Sequence, residues 1–476
     1  MGLDWEIVDS ILDKTRFFVD RYDRYAIYAE YRKEKGCLEF YPIDSRDFES
    51  YLNVSYRDLS KSRKLPNMGE VFRYIKDEAN YYENLSKVSP YTRVAGNLKD
   101  GIEYSLADHM HHIVSITDRG WKITEKTKHK FLSNGSNDEQ VMPKRSNKGL
   151  LELLAPLVNL KGDDLRLFAI WLTQAFSCGS HYGVMLSAEQ GSGKSSLTRT
   201  INLLVDPSDT DPPLMQTKLE DFQNYLANHY FACFDNVRNI PTEFSDTLCA
   251  AITGSTVVKR KLYSDRDEVR LKLHNTVVIN GINIFPKESD LAERFLYFNL
   301  KKLPPSGRKT DYDLTKIFEK NRPLILGCIF DLLVKASKII KKMQAEAPER
   351  MADAFTEMMA IAMALGLSKN EFRHLIAKNV EQLNAVCLPS PVVQAVVQYM
   401  DGPNAGKRKV VETATTFYNS VKANYSGDKA DLFSRPAEFS KALKSEVGAL
   451  MKAGFGCLVD DTGEANSMIT VIRNKK

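Results

Sequence analysis

Apolar residues recur at helical spacing from the beginning of the chain, at Trp5, Ile7, Val8, Ile11 and Leu12, and predict helix over residues 1–36. Residues 37–130 mix short strand and helix patterns. Within them, 113–116 and 121–123 flank Thr117-Asp118-Arg119-Gly120 and predict a hairpin. The polar, turn-rich stretch from Ser133 to Asn147 predicts a linker. From Leu150 the texture changes. Helices are expected over 150–160 and 163–176, a buried strand over 183–187, and a helix from Ser195. Further apolar strands are expected over 230–234 and 276–279. Strands alternating with helices imply an α/β fold with a parallel sheet. Residues 310–385 read as helical. The last 80 or so predict helices, including one over 439–452, and then a β-ribbon of 457–459 against 468–472. These shifts divide the chain into 1–147, 148–305, 306–387 and 388–476.

The chain has 476 residues, 43% hydrophobic and 27% charged, which is ordinary for globular domains. Its formal charge of +5 excludes histone-like or tail-mediated nucleic-acid binding but leaves room for a local basic surface. The seven cysteines form no C-x-x-C pair, so a zinc ribbon or a redox dithiol has no support, and reduced thiols in a cytoplasmic protein fit best. The acids Asp4 and Glu6 near the start argue against a secretory signal. No apolar run reaches the roughly 18 residues of a membrane span. His109-Met110-His111-His112, read as a strand, puts His109 and His111 on one face, but no cysteine or carboxylate cluster completes a metal site.

The chemistry concentrates at Ala188-Glu189-Gln190-Gly191-Ser192-Gly193-Lys194-Ser195-Ser196, between a predicted strand and a predicted helix. This is a phosphate-loop pattern with alanine in place of the first glycine. Gly191 and Gly193 let backbone N–H groups turn inward around phosphate oxygens, and the helix from Ser195 points its positive end at them. Lys194 reaches the β- and γ-phosphates of ATP, and the Ser195 hydroxyl suits Mg²⁺. The strand ending at Asp235, 41 residues beyond Lys194, reads as the Walker B element that holds the metal's water shell. The second acid of that element is here Asn236, an amide that orients water but takes no proton. The catalytic carboxylate then comes from elsewhere, with Glu189 one candidate and a solvent-facing Glu189 the alternative, or hydrolysis is slow. Asn280, ending the strand 275–279, occupies a sensor position near the γ-phosphate. Arg294, 14 residues further on, suits an arginine finger acting on a neighbouring subunit's nucleotide, or an ion pair with Asp290.

Between Walker B and the sensor, two β-prone runs flank Ser264-Asp265-Arg266-Asp267 and predict an inserted hairpin. Residues 259–272 carry six Lys/Arg and three Asp/Glu. Lys259, Arg260, Lys261 and Arg266 suit a phosphate backbone, and Tyr263 suits stacking on a base. A solvated edge hairpin is the alternative.

These elements in this order resemble the superfamily 3-type helicases of the AAA+ class. The blocks 187–195, 234–237, 262–265 and 280–281 are most similar to the ATPases of phage, plasmid and integrative-element primase-helicase proteins. The resemblance covers roughly residues 90–340. It implies an AAA+ core at 148–305, here between an N-terminal α+β domain and a C-terminal helical region, and the helix-then-ribbon order of the tail suits a winged-helix-like end. It also implies a homo-oligomeric ring, usually a hexamer, that uses ATP and Mg²⁺ to drive single-stranded DNA through its pore in replication of a mobile element. No zinc-binding or acidic polymerase cluster stands out in residues 1–150, so priming, where it occurs, is expected from a separate primase. Lys441, Lys444 and Lys452 lie at helical spacing near the C-terminus and suit either duplex origin DNA or a solvated face.

Overall fold

The computed structural model describes residues 3–23, 25–32, 38–62, 67–81, 85–133, 138–188, 191–208, 212–215, 218–238, 240–260, 268–282, 286, 288–304, 309–344, 351–386, 390–460 and 467–474. The chain is mixed α/β and splits into two units. One comprises residues 1–284 and 294–381, the other residues 285–293 and 382–476.

The larger unit begins with the helix Trp5–Leu12, but the helical expectation for 1–36 fails beyond it. Arg16–Asp20 and Ile27–Arg32 are antiparallel strands. The run Arg16-Phe17-Phe18-Val19 is aromatic and β-branched, and such side chains fit a pleated surface better than a helix. Asp20 closes the turn by accepting from the N–H groups of Tyr22 and Asp23. Leu38–Pro42 and Ser86–Val88 complete this four-stranded sheet, which packs on helices Arg46–Ser60 and Gly69–Tyr81.

A second sheet is an antiparallel meander of Val94–Asn97, Gly101–Ser105, Ile113–Thr117 and Gly120–Thr124. Its last two strands are the expected hairpin. Its buried face (Val94, Ile102, Tyr104, Val114, Ile116) shares one core with helix Gly162–Gln174, the central sheet and helices Asp311–Ile340 and Ala352–Ala364. Residues 138–147 are not a loose linker. Gln140 is 2% exposed and bridges Tyr104, the Leu204 carbonyl and Arg322, while the Lys144 N–H donates to the Pro323 carbonyl.

The central sheet is parallel, in the order Phe231–Phe234, Thr276–Gly281, Gly183–Ala188, Phe295–Leu300. All four strands are mostly apolar and, apart from Asn299, buried along their length, as expected where helices cover both sides. Helix Lys194–Val205 follows the third of these strands. Its C-terminal carbonyls are capped from distant segments: the Tyr104 hydroxyl donates to Val205 O at 2.9 Å and the Gln140 amide donates to Leu204 O at 2.9 Å. Arg93, fully buried, donates from Nε to Asp206 Oδ1 at 2.7 Å and from its other nitrogens to the carbonyls of Ser105, Asp138 and Pro207. Asp206 Oδ2 accepts from Phe231 N–H at 3.3 Å. This network ties the end of helix Lys194–Val205 to the start of strand Phe231–Phe234.

In the smaller unit, helix Pro391–Asp401, strand Lys409–Thr413, helices Ala414–Asn424, Pro436–Ser445 and Val447–Lys452, and strands Phe455–Val459 and Met468–Arg473 surround their own core. The sheet is antiparallel with Met468–Arg473 in the middle. The single helix expected over 439–452 breaks at Glu446 and begins earlier, at Pro436. The outer strand Lys409–Thr413 was not anticipated from the sequence.

Candidate functional site

Parallel pairing brings the carboxyl ends of the central strands to one edge. Asn280 pairs with Leu186, Leu300 with Ala188, and Phe234 with Ile279. Ligands of open α/β sheets bind at such an edge. Gly191 and Gly193 take positive φ values of 83° and 82°, a backbone only glycine adopts freely, and helix Lys194–Val205 starts directly after them. Its N-terminal N–H groups form an anion-attracting end. The Ser192 hydroxyl is buried with no hydrogen-bond partner among the described residues. Lys194 Nζ donates to the Ala188 carbonyl at 2.8 Å, at the mouth of the loop. Burial lowers the Lys194 pKa, and the Asp235 carboxylate partly offsets this.

Ser195 Oγ donates to Asp235 Oδ1 at 3.2 Å. An alcohol and a carboxylate are hard oxygen donors of the kind Mg²⁺ takes together with water, so the pair fits the expected metal. Asp235 directly follows its strand, and its N–H donates to the Pro213 carbonyl at 3.0 Å beside a parallel bridge between Leu214 and Asp235. Asn236 is exposed and adopts φ +53°. Asparagine is among the few non-glycine residues that tolerate this region. Glu189 and Gln190 lie outside the described residues.

Asn280 reaches the same edge but is fully buried. Its Oδ1 accepts from Asn236 N–H at 3.0 Å and its Nδ2 donates to Thr198 Oγ1 at 2.7 Å. Arg294 lies at the opposite edge. Its carbonyl accepts from Gly183 N–H at 2.9 Å, and the following strand runs in register from Phe295 beside Gly183 to Leu300 beside Ala188. Six residues at about 3.3 Å each put roughly 20 Å between Arg294 and the phosphate loop, beyond the reach of its side chain. Arg294 therefore does not reach the loop at Gly191–Lys194 of its own chain.

Several supporting residues carried no sequence signal. Asn159 Nδ2 donates to the Ser192 carbonyl at 3.1 Å and the Lys301 carbonyl at 2.6 Å, fastening the loop to the segment after the last strand. Ser196 Oγ donates to Asp311 Oδ1 at 3.2 Å. Each pair is more than 30 residues apart, so no local pattern reveals it.

The inserted hairpin is present as Thr256–Arg260 against Glu268–Lys272, springing from Gly254 in the left-handed region at φ +80°. Lys259 and Arg260 lie on its first strand. Lys261, Tyr263 and Arg266 lie outside the described residues. Arg270 is exposed, and Lys272 Nζ sits 5.1 Å over the Tyr22 ring. At the hairpin base, His274 Nδ1 lies 3.7 Å from Cys178 Sγ, and its Nε2 hydrogen-bonds to the Gly179 carbonyl. Burial pushes the His274 pKa down and the Cys178 pKa up to about 11, so both are neutral near pH 7.

The expected strand at 109–112 is a turn. His111 takes φ +53° and approaches Glu39 Oε1 at 3.4 Å, while His112 Nδ1 pairs with Asp108 Oδ2. Among the described residues no group of three or more His, Cys, Asp or Glu is placed to hold a metal, and no helix is long and apolar enough to cross a membrane.

Residues 151–375 match the model of the actinomycete integrative conjugative element replication protein family. Over this span the chain is similar to replication proteins. No curated protein matches the sequence. Solved structures that align with it include the A form apo structure of the NrS-1 C terminal region, at 11% identity, 99% coverage of both chains and a TM-score of 0.46. A second apo structure of that region aligns at 10% identity, the same coverage and a TM-score of 0.43. JCV helicase aligns over 50% of this chain and 67% of its own, at 17% identity and a TM-score of 0.25.

Proposed function

We propose that the chain is an ATP-dependent DNA helicase or translocase that works as a homo-oligomeric ring, hexameric by resemblance, in replication of an integrative or other mobile element. The observation that carries the reading is the Ser195–Asp235 pair at 3.2 Å beside Lys194, at the carboxyl edge of a parallel sheet whose middle strand ends in Asn280. Lys194 and the loop N–H groups hold the phosphates, with residues 189–196 forming the cradle, and Ser195 and Asp235 hold Mg²⁺. Bound Mg²⁺ would neutralise charge on the β- and γ-phosphates. Arg294, at the far edge of the sheet, serves the nucleotide of the adjacent protomer. Lys259, Arg260, Lys261, Tyr263 and Arg266 contact single-stranded DNA from the hairpin.

In the smaller unit, the order helix, strand, three helices, ribbon, with the first strand on the outside of the sheet, supports a winged helix. Its helix 436–445 carries exposed Lys441 and Lys444 toward duplex origin DNA. The test is ATP turnover with and without single-stranded DNA, together with strand displacement. Wild type should be DNA-stimulated, Lys194→Ala should be inactive, and unchanged turnover in that variant refutes the site. Reversing the hairpin charges should remove DNA stimulation and spare basal turnover.

Asn236 favours one second reading, an ATP-binding switch or assembly factor with slow hydrolysis, because this position offers no carboxylate to activate water. Full function with a slowly hydrolysed ATP analogue would select it.

A further inference from the structure

Asn280 stands where the sequence suggests a γ-phosphate sensor, yet its side chain is engaged elsewhere. A continuous chain of hydrogen bonds runs through it. Asn236 N–H donates to Asn280 Oδ1 at 3.0 Å, Asn280 Nδ2 donates to Thr198 Oγ1 at 2.7 Å, and Thr198 Oγ1 donates to the backbone carbonyl of Lys194 at 3.0 Å. The polarity is forced. A backbone N–H can only donate, so Asn236 must face the amide oxygen. The single Thr198 proton is committed to the Lys194 carbonyl, so the hydroxyl must accept from the amide nitrogen. Asn280 and Thr198 are both fully buried, and the Asn280 carbonyl also accepts from Val237 N–H at 2.8 Å. Asn280 thus holds the loop after Asp235 at two successive N–H groups and the second turn of the helix Lys194–Val205 at a third point.

The two elements it joins carry Asp235 and Ser195. They are far apart in sequence, and Asn236 must keep a left-handed φ of +53° to aim its N–H at Asn280. We infer that Asn280 is a positioning residue. Through Asn236 and Thr198 it fixes the spacing of the Ser195–Asp235 pair rather than reading the terminal phosphate. Buried polar chains of this kind are stiff when every member is satisfied, and oxygen ligands of Mg²⁺ must be held closely because its octahedral geometry is demanding. The inference rests on the proposed phosphate site and assigns a new partner, Thr198, to it.

The experiment compares Asn280→Ala, Thr198→Val, Thr198→Ser and the Asn280→Ala/Thr198→Val double variant in the full-length protein. It measures kcat and KM for ATP, affinities for ATP and ADP without Mg²⁺, and the Mg²⁺ concentration giving half-maximal turnover. The relay predicts that Asn280→Ala and Thr198→Val each lower kcat by on the order of tenfold, because small misplacements at a reacting centre cost about that much or more. Both should raise the Mg²⁺ requirement and leave metal-free nucleotide affinity unchanged. The double variant should be no worse than either single one, and Thr198→Ser, which keeps the hydroxyl, should stay near wild type. A sensor would behave otherwise: Asn280→Ala alone would lose preference for ATP over ADP, and Thr198→Val would resemble wild type. That outcome, multiplying effects in the double variant, or a Ser variant as impaired as Val would each overturn the relay. Lys194→Ala in parallel separates the two levels. If it retains nucleotide binding and turnover, the phosphate site itself is wrong, whereas an inactive Lys194→Ala beside an active Thr198→Val sinks only the relay.

Discussion

The buried Arg93–Asp206 pair allows a quantitative test of how the phosphate-loop helix is anchored. Arg93→Met removes four donated hydrogen bonds, to Asp206 Oδ1 and to the carbonyls of Ser105, Asp138 and Pro207, while keeping an apolar stem of similar length. Asp206, 4% exposed, keeps only the Phe231 N–H among the contacts described and becomes a buried charge without its counter-ion. Breaking a buried pair from one side costs about 3–5 kcal/mol. The assay is urea unfolding followed by tryptophan fluorescence. The chain has three tryptophans, Trp5, Trp121 and Trp171, all in the larger unit, and Trp171 is fully buried with its indole N–H on the Tyr182 carbonyl. Arg93→Met should lower the unfolding free energy by that amount. The double variant Arg93→Met/Asp206→Leu should lose clearly less than the sum of its singles, because the orphaned charge is gone. A loss under about 1 kcal/mol, or strict additivity, refutes the claim that this pair anchors the helix.

Other consequences are more local. Burial pushes the Glu357 carboxyl from 4.5 up to about 7, so between these values the folded chain holds a proton that the unfolded chain has released. Stability should therefore fall by roughly 3 kcal/mol as pH rises from about 4.5 to 7 and stay level above; Glu357→Gln should flatten this slope and be the more stable protein at pH 8, and an unchanged pH profile contradicts the assignment. A Cβ on Gly327 would collide with the Lys144 carbonyl, so Gly327→Ala should cost about 1–3 kcal/mol and speed proteolysis within 138–147. At Asn236, φ +53° predicts that Asn236→Gly retains wild-type thermal stability and that Asn236→Val loses about 1–2 kcal/mol; equal behaviour of the two would argue against the left-handed backbone.

What the sequence made legible was what is local. The strand-loop-helix around Gly193 and Lys194, the strand ending at Asp235 and the hairpin base at 256–272 each depend on residue types at short spacing, and the structure forms all three. The parallel sheet followed from the alternation of elements. Residues 13–32 misled because helical spacing up to Leu12 was carried into a run whose aromatic and β-branched residues alternate across a sheet. The 138–147 segment misled because polar composition does not mean looseness: the Gln140 amide caps the Leu204 carbonyl and accepts from Arg322 inside the core. The contacts that shape the site, Asn159 to Ser192, Thr198 to Asn280 and Arg93 to Asp206, span 33, 82 and 113 residues, distances over which one sequence carries no pairing signal.

The central claim is a phosphate site completed by a neighbouring copy, and mixing two inactive variants tests it most directly. On the proposed reading Lys194→Ala should disable the loop and Arg294→Ala the far edge of the sheet, so each alone should hydrolyse ATP negligibly in the presence of single-stranded DNA. Mixed in equal amounts and allowed to exchange, they rebuild intact seams wherever a normal loop meets a normal arginine, and turnover should recover to about a quarter of wild type if protomers assort freely. A mixture as inactive as its components, or an Arg294→Ala protein as active as wild type, would contradict the account.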